Sequence, residues 1–166
     1  EITAGEHDIL LFSSAGKSIR FRESDVRSVG RTAIGVRGIR LADKDKVVSL
    51  IVAESDDPIL TATEKGYGKR TQLDEYRTQA RGGSGVISIK TSDRNGQVVG
   101  AIQVTDEDEM MLISDKGTLV RARASDVSII GRNTQGVTLI NIADDEALVS
   151  VAKIAESDDD DDQREE

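Results

Sequence analysis

Short runs of Ile, Val, Leu and Thr, each only a few residues long, recur along the whole chain and are broken by Gly, Asp and Ser. This pattern predicts short β-strands joined by tight turns. In Lys17-Ser18-Ile19-Arg20-Phe21-Arg22, Ile19 and Phe21 share one face while Arg20 and Arg22 share the other, because side chains alternate along a strand. The first fifty or so residues predict strands near residues 9–13, 17–22, 36–41 and 47–52. The turn Ser14-Ala15-Gly16-Lys17 places Gly where a hairpin needs positive φ, as do Glu64-Lys65-Gly66-Tyr67 and Asp115-Lys116-Gly117-Thr118.

Those three turns belong to a repeat with a period of about 50 residues. Four residues after each turn Gly stands an Arg: Arg20, Arg70 and Arg121. A second landmark, Arg-x-x-x-Gly-Val, begins at Arg31, Arg81 and Arg132, and an apolar run begins at Val47, Val98 and Leu148. Acidic linkers follow each run, so the units span 8–56, 57–108 and 109–155, preceded by residues 1–7, which resemble the end of an earlier unit. A unit of about four short strands cannot bury its apolar face alone and must stack on its neighbours. The expected fold is therefore all-β, a propeller-like array of about three four-stranded blades. Known propellers use about four to eight blades, so the natural array is expected to extend before Glu1.

Aromatic residues make up 2% of the chain, which suits thin aliphatic layers better than one large core. There is no Cys, so a disulfide framework or thiolate metal site is excluded and a reducing cytoplasm is compatible. No apolar run is long enough for a transmembrane helix, and residues 1–6 lack the pattern of a signal peptide. His7 is the sole His, which excludes His clusters and a Ser/His/Asp triad of the usual kind. No cofactor is expected.

The net charge of −9 argues at first against a nucleic-acid partner. Residues 156–166 hold eight acids and one Arg, however, which leaves 21 basic and 23 acidic groups in residues 1–155. That end is expected to be a disordered acidic tail, solvated or competing with DNA for the basic surface. Within the units charge is segregated: residues 16–41 hold seven basic and two acidic groups, residues 65–90 six and two, and residues 116–141 four and one. In a radial stack, Arg20, Arg70 and Arg121 would form one row and Arg31, Arg81 and Arg132 another, assisted by Lys17, Arg22, Lys69 and Arg123. Such rows suit a phosphate backbone. The competing reading is that these Arg residues pair with linker acids. The Gly-rich loop Gln79-Ala80-Arg81-Gly82-Gly83-Ser84-Gly85 could bring backbone amides to a phosphate or could simply be a long turn; it lacks the Lys-Ser/Thr ending of a P-loop.

The stretches Thr61-Ala62-Thr63-Glu64-Lys65-Gly66-Tyr67-Gly68-Lys69-Arg70-Thr71, Gly85-Val86-Ile87-Ser88-Ile89-Lys90 and Ile130-Gly131-Arg132-Asn133-Thr134-Gln135-Gly136-Val137 resemble the C-terminal domain of the DNA gyrase A subunit. The resemblance implies a β-pinwheel, normally of six blades, that wraps double-stranded DNA with positive writhe. It also implies work in a bacterial cytoplasm alongside the gyrase B subunit, together with the rest of the gyrase A subunit, with cleavage, metal and ATPase sites elsewhere. The family's basic box, Gln-Arg-Arg-Gly-Gly-Lys-Gly, is matched by residues 79–85 at Gln79, Arg81, Gly82, Gly83 and Gly85, but Ala80 and Ser84 replace two cations. The related topoisomerase IV domain and a protein-interaction propeller are the alternatives.

Overall fold

The computed structural model describes residues 1–154. The acidic tail lies outside the described residues. The first repeat supplies β1 (Asp8–Ser13), β2 (Lys17–Arg22) and β3 (Val47–Ala53). The second supplies β4 (Ile59–Thr63), β5 (Tyr67–Thr71), β6 (Val86–Ile87) and β7 (Val98–Gln103), and the third β8 (Glu109–Ser114), β9 (Leu119–Arg123), β10 (Val137–Thr138) and β11 (Leu148–Lys153). One turn of 3-10 helix follows each of β2, β5 and β9.

The strands form three antiparallel sheets in the orders β3-β1-β2-β6, β10-β5-β4-β7 and β11-β8-β9. Each sheet is built on a hairpin, β1–β2, β4–β5 or β8–β9, closed at its turn by a Gly with φ between +76° and +86°. The inner pair of every sheet carries a register shift at the same place, at Phe12/Ser13, Ala62/Thr63 and Leu148/Ser150. Such bulges increase local twist, which suits blades set around an axis. The innermost strands β3 and β11 both pack on β7, and the Ser49 Oγ accepts the Ala101 amide at 2.9 Å across the first contact.

The outermost strands are exchanged between repeats. β6 belongs to the second repeat but pairs with β2, and β10 belongs to the third but pairs with β5. Residues 36–41, expected as a strand of the first repeat, carry none. Their counterparts become strands by pairing with the hairpin of the preceding repeat, and among the described residues no hairpin precedes 36–41.

Alternation along the strands sorts apolar side chains into layers between blades. Leu10, Phe12 and Ile51 of the first blade meet Ile59, Leu73, Tyr76 and Ala101 of the second. On the other face of the second blade, Leu60, Ala62 and Val104 meet Met110, Leu112, Ala124, Val127 and Leu148. A smaller cluster of Ile9, Ile19, Phe21 and Ile39 lies on the face of the first blade turned away from the second. Among the described residues, no helix is long and apolar enough to cross a membrane.

Candidate nucleic-acid interface

Of the six Arg residues that recur in every repeat, Arg20, Arg70, Arg81 and Arg132 sit at joints between repeats, while Arg31 and Arg121 do not. Arg20 pairs with the buried Asp8 at 2.6 Å and donates from Nη1 to the carbonyls of Leu73 (2.9 Å) and Tyr76 (3.3 Å) in the next repeat. One repeat on, Arg70 is buried, donates from Nε to the Val127 carbonyl at 2.8 Å and pairs with Asp106. Backbone bonds accompany each Arg: the Gln79 amide to the Arg20 carbonyl at 2.8 Å and the Ile130 amide to the Arg70 carbonyl at 2.9 Å. Among the described residues no repeat follows Arg121. Its side chain is 63% exposed and pairs with Glu109 of the neighbouring strand.

The second row behaves likewise, in the reverse direction. Arg81 donates back to the carbonyls of Asp25 and Arg37, both at 2.9 Å, and Arg132 donates to the carbonyl of Ile87 at 2.8 Å. Lys69 is fully buried, its Nζ held at 2.6 Å from each of the Gly131 and Arg132 carbonyls. Burial pulls its pKa from 10.5 down to about 8, with Glu75 raising it and Arg132 lowering it. Tyr76 is buried beside this joint, within 3.2 Å of the Ser88 hydroxyl, and burial raises its pKa. Carbonyls already occupy these donors, so a duplex would have to compete for them.

A different set of cations faces solvent. Lys17, Arg31 and Arg123 are exposed and, among the described residues, have no ion-pair partner within 4.0 Å; Arg22 is 3.1 Å from Asp8 with most of its side chain exposed. Recurrence across all three repeats does not reveal five further cations of this kind: Arg27, Arg37, Arg40, Arg77 and Lys90 are all exposed and without an ion pair among the described residues. Arg27 and Arg77 occupy equivalent positions in successive repeats, as do Arg40 and Lys90. The signal was present in the same spacing of 50, but it stops after two repeats, at Ser128 and Asn141. Arg37, Arg40 and Lys90 lie on or beside the outermost strand position of their repeats, away from the inner strands.

A sequence profile described as "DNA gyrase C-terminal domain, beta-propeller" matches residues 7–54, 57–105 and 108–155. The chain belongs to this gyrase C-terminal domain family. The DNA gyrase A protein of Klebsiella oxytoca is 59% identical over 160 residues, covering 96% of the chain, and that of Escherichia coli K12 is 57% identical over 162 residues, covering 98%. The chain spans 18% of the length of each of these relatives. Among solved structures, a DNA gyrase A C-terminal domain matches with a TM-score of 0.85 at 30% identity, over 92% of this chain and 52% of that one. The C-terminal domain of a DNA topoisomerase IV matches with a TM-score of 0.87 at 26% identity, over 93% and 48%.

In this gyrase-family chain the degenerate box is part of a joint. The Gly82 amide donates to the Gly38 carbonyl at 2.5 Å, the Gly83 carbonyl accepts the Arg40 amide at 2.8 Å, and Gly85, at φ +70°, lies against the Ser18 carbonyl. Gln79 is bound through its amide to Arg20, as above. Two of the loop's own amides, those of Gln79 and Gly82, are thus spent on the first blade.

Proposed function

We propose that this chain is a DNA-binding and DNA-wrapping module with no catalysis of its own, working as part of a gyrase-type topoisomerase in the bacterial cytoplasm. The cleavage, metal and ATPase sites would lie in the B subunit or in the rest of the gyrase A protein. The observation that carries the reading is an exposed set of unpaired cations, concentrated in the outer segments of a chain that belongs to the gyrase C-terminal domain family.

The physical case rests on phosphate neutralisation. Each phosphate contact releases condensed counterions and steepens the salt dependence of log K by about 0.9. Bending a 20 to 30 base-pair site by 40 to 90° costs on the order of 1–6 kcal/mol, which requires many such contacts rather than a few. We assign them to Lys17, Arg22, Arg27, Arg31, Arg37, Arg40, Arg77, Lys90 and Arg123. Arg20, Lys69, Arg70, Arg81 and Arg132 hold the blades that present them, and Arg121 lies between the two groups.

Fluorescence anisotropy with a labelled duplex, titrated over salt, tests this division. Arg40→Glu with Lys90→Glu should weaken binding and lower the salt slope by about 1.8, at about 0.9 per lost contact, with little change in melting temperature. Arg20→Ala should instead lower the melting temperature and leave the salt slope nearly unchanged. An unchanged slope in the double variant rejects the assignment. Relaxing closed circular DNA in the presence of the chain tests wrapping: a shift in linking number is expected, and binding without any shift limits the module to contact.

A further inference from the structure

The second repeat is fastened to the third by a loop that has no counterpart at the joint between the first and second. The chain takes one more residue to pass from Lys90 to Val98 than from Arg40 to Val47 or from Asn141 to Leu148. In the two shorter loops a carboxylate ties the loop to its own hairpin. Asp45 accepts the Ser14 hydroxyl at 2.8 Å and the Ala15 amide at 2.9 Å, and Glu146 accepts the Ser114 hydroxyl. In the longer loop a neutral amide, that of Asn95, reaches into the next repeat instead.

Asn95 is fully buried. Its Oδ1 accepts the Ser92 amide at 2.8 Å and the Ser92 hydroxyl at 3.2 Å, and its Nδ2 donates to the carbonyls of Lys90 at 2.9 Å and Gln135 at 3.1 Å. Both donors and the acceptor of the side chain are thus in use. Gln135 answers from the third repeat: its Nε2 donates to the Ser92 hydroxyl at 3.1 Å, and its Oε1 accepts from the Arg94 Nη1 at 3.4 Å. The Lys90 amide completes the clasp by donating to the Thr134 carbonyl at 2.8 Å. Beyond Gly96 the loop runs into the inner strand β7, its Gln97 amide bonded to the Glu64 carboxylate at 2.9 Å.

What the clasp presents is Arg94. Its guanidinium lies over the Tyr67 ring, 5.0 Å from the centroid, and the residue is exposed with no ion pair among the described residues. Stacking on an aromatic face leaves the edge of the guanidinium, which carries its N–H donors, free to take an oxyanion in the plane. Arg20 and Arg70 spend those donors on carbonyls, whereas Arg94 spends one on Gln135. The ring occurs once, since Lys17 and Thr118 stand at the equivalent positions of the other repeats. We propose that Arg94 is a fixed phosphate contact of the duplex path and that Asn95 is its positioning residue. This assignment rests on the DNA-wrapping reading and adds to it a contact outside the recurring rows. A side chain already held by a ring and a clasp gives up little freedom on binding, so its contact is stronger than that of an equal charge on a loose stem.

Duplex anisotropy with the full chain, titrated over salt, separates charge from position. Arg94→Gln removes the charge and should lower the salt slope by about 0.9. Asn95→Ala keeps every charge, so the slope should hold while affinity falls about twofold to tenfold, the cost of ordering a freed side chain. Combined in one chain, Asn95→Ala should add nothing to Arg94→Gln, because Asn95 acts through Arg94. Tyr67→Leu should resemble Asn95→Ala, and Tyr67→Phe, which keeps the ring, should bind as the native chain does. The Tyr67 variants leave the buried clasp in place and carry the test if Asn95→Ala lowers the melting temperature too far. A native slope in Arg94→Gln, or a loss from Asn95→Ala that persists beside Arg94→Gln, overturns the proposal while the native chain still binds. A native chain without salt-dependent duplex binding overturns the DNA reading itself, and this assignment with it; the Arg40→Glu, Lys90→Glu variant in the same titration tells the two failures apart.

Discussion

Arg70 and Arg121 occupy the same position in successive repeats and differ only in what surrounds them. Arg70 is enclosed and satisfies the Val127 carbonyl, while Arg121 stands in solvent against Glu109. Truncating Arg70 leaves a buried carbonyl without a donor, so Arg70→Ala should cost about 2–3 kcal/mol in urea denaturation. Arg121→Ala in dilute solution should cost under about 1 kcal/mol, the range of exposed ion pairs. Equal costs would mean that the joint is held by packing alone. Lys69 adds a pH signature. Its pKa in the folded chain is about 8 against an ordinary 10.5, so between those values the unfolded chain binds more protons and stability should rise with pH, at up to about 1.4 kcal/mol per unit. Tyr76, pushed above its usual 10.0, keeps out of that window below pH 9.5. The difference in unfolding free energy between the native chain and Lys69→Met, followed from pH 8 to 9.5, should therefore grow in favour of the native chain; a flat difference would show that Lys69 is charged throughout. The sequence marked Arg70 and Arg121 through their recurrence at spacings of 50 and 51, but not Lys69, whose counterparts are Ile19 and Val120. Strict recurrence marks whatever each repeat must do, and here each repeat must fasten to the next, whereas a surface that meets a partner is free to vary.

The hairpins and inner strands were legible because a period of two and a turn Gly are local signals: residues 9–13, 17–22 and 47–52 lie within β1, β2 and β3. Strand exchange was not legible. A strand of two residues such as Val86–Ile87 carries no periodicity, and its partner Lys17–Ser18 lies some 70 residues earlier. What holds these short strands is the close backbone approach at the glycine before them. Gly136 has φ +82° and no room for a Cβ beside Gly68. Gly136→Ala should therefore combine the left-handed penalty of roughly 1–2 kcal/mol with an overpacking cost of about 1–3 kcal/mol. Gly35→Ala, with open space around it, should show only the first of these in dilute solution. Hydrogen exchange should place the extra loss in β5 and β10; the same loss at both glycines would remove the case for a close approach.

Over the whole molecule, basic charge thins from the first repeat to the third: seven, six and four cations in the equivalent segments 16–41, 65–90 and 116–141. The near-neutral body and its segregated charge were readable from composition. Which cations are free was not, because that depends on carbonyls brought in from the neighbouring repeat. The two exposed rows end where Arg27 and Arg77 give way to Ser128, and where Arg40 and Lys90 give way to Asn141, both themselves exposed. If these rows follow the duplex, the third repeat is a stretch of the path with contacts left out, and restoring them should extend the path. Ser128→Arg with Asn141→Lys should tighten duplex binding at low salt and steepen the salt slope by about 1.8, at about 0.9 per added phosphate contact. The same charges placed off the rows, by Ser55→Arg and Gln97→Lys, change net charge equally but should add long-range attraction without the full steepening, because screening over about 10 Å at 0.1 M salt removes most of it. Matching slopes from the two double variants would show that DNA responds to overall charge and not to a path along the blades.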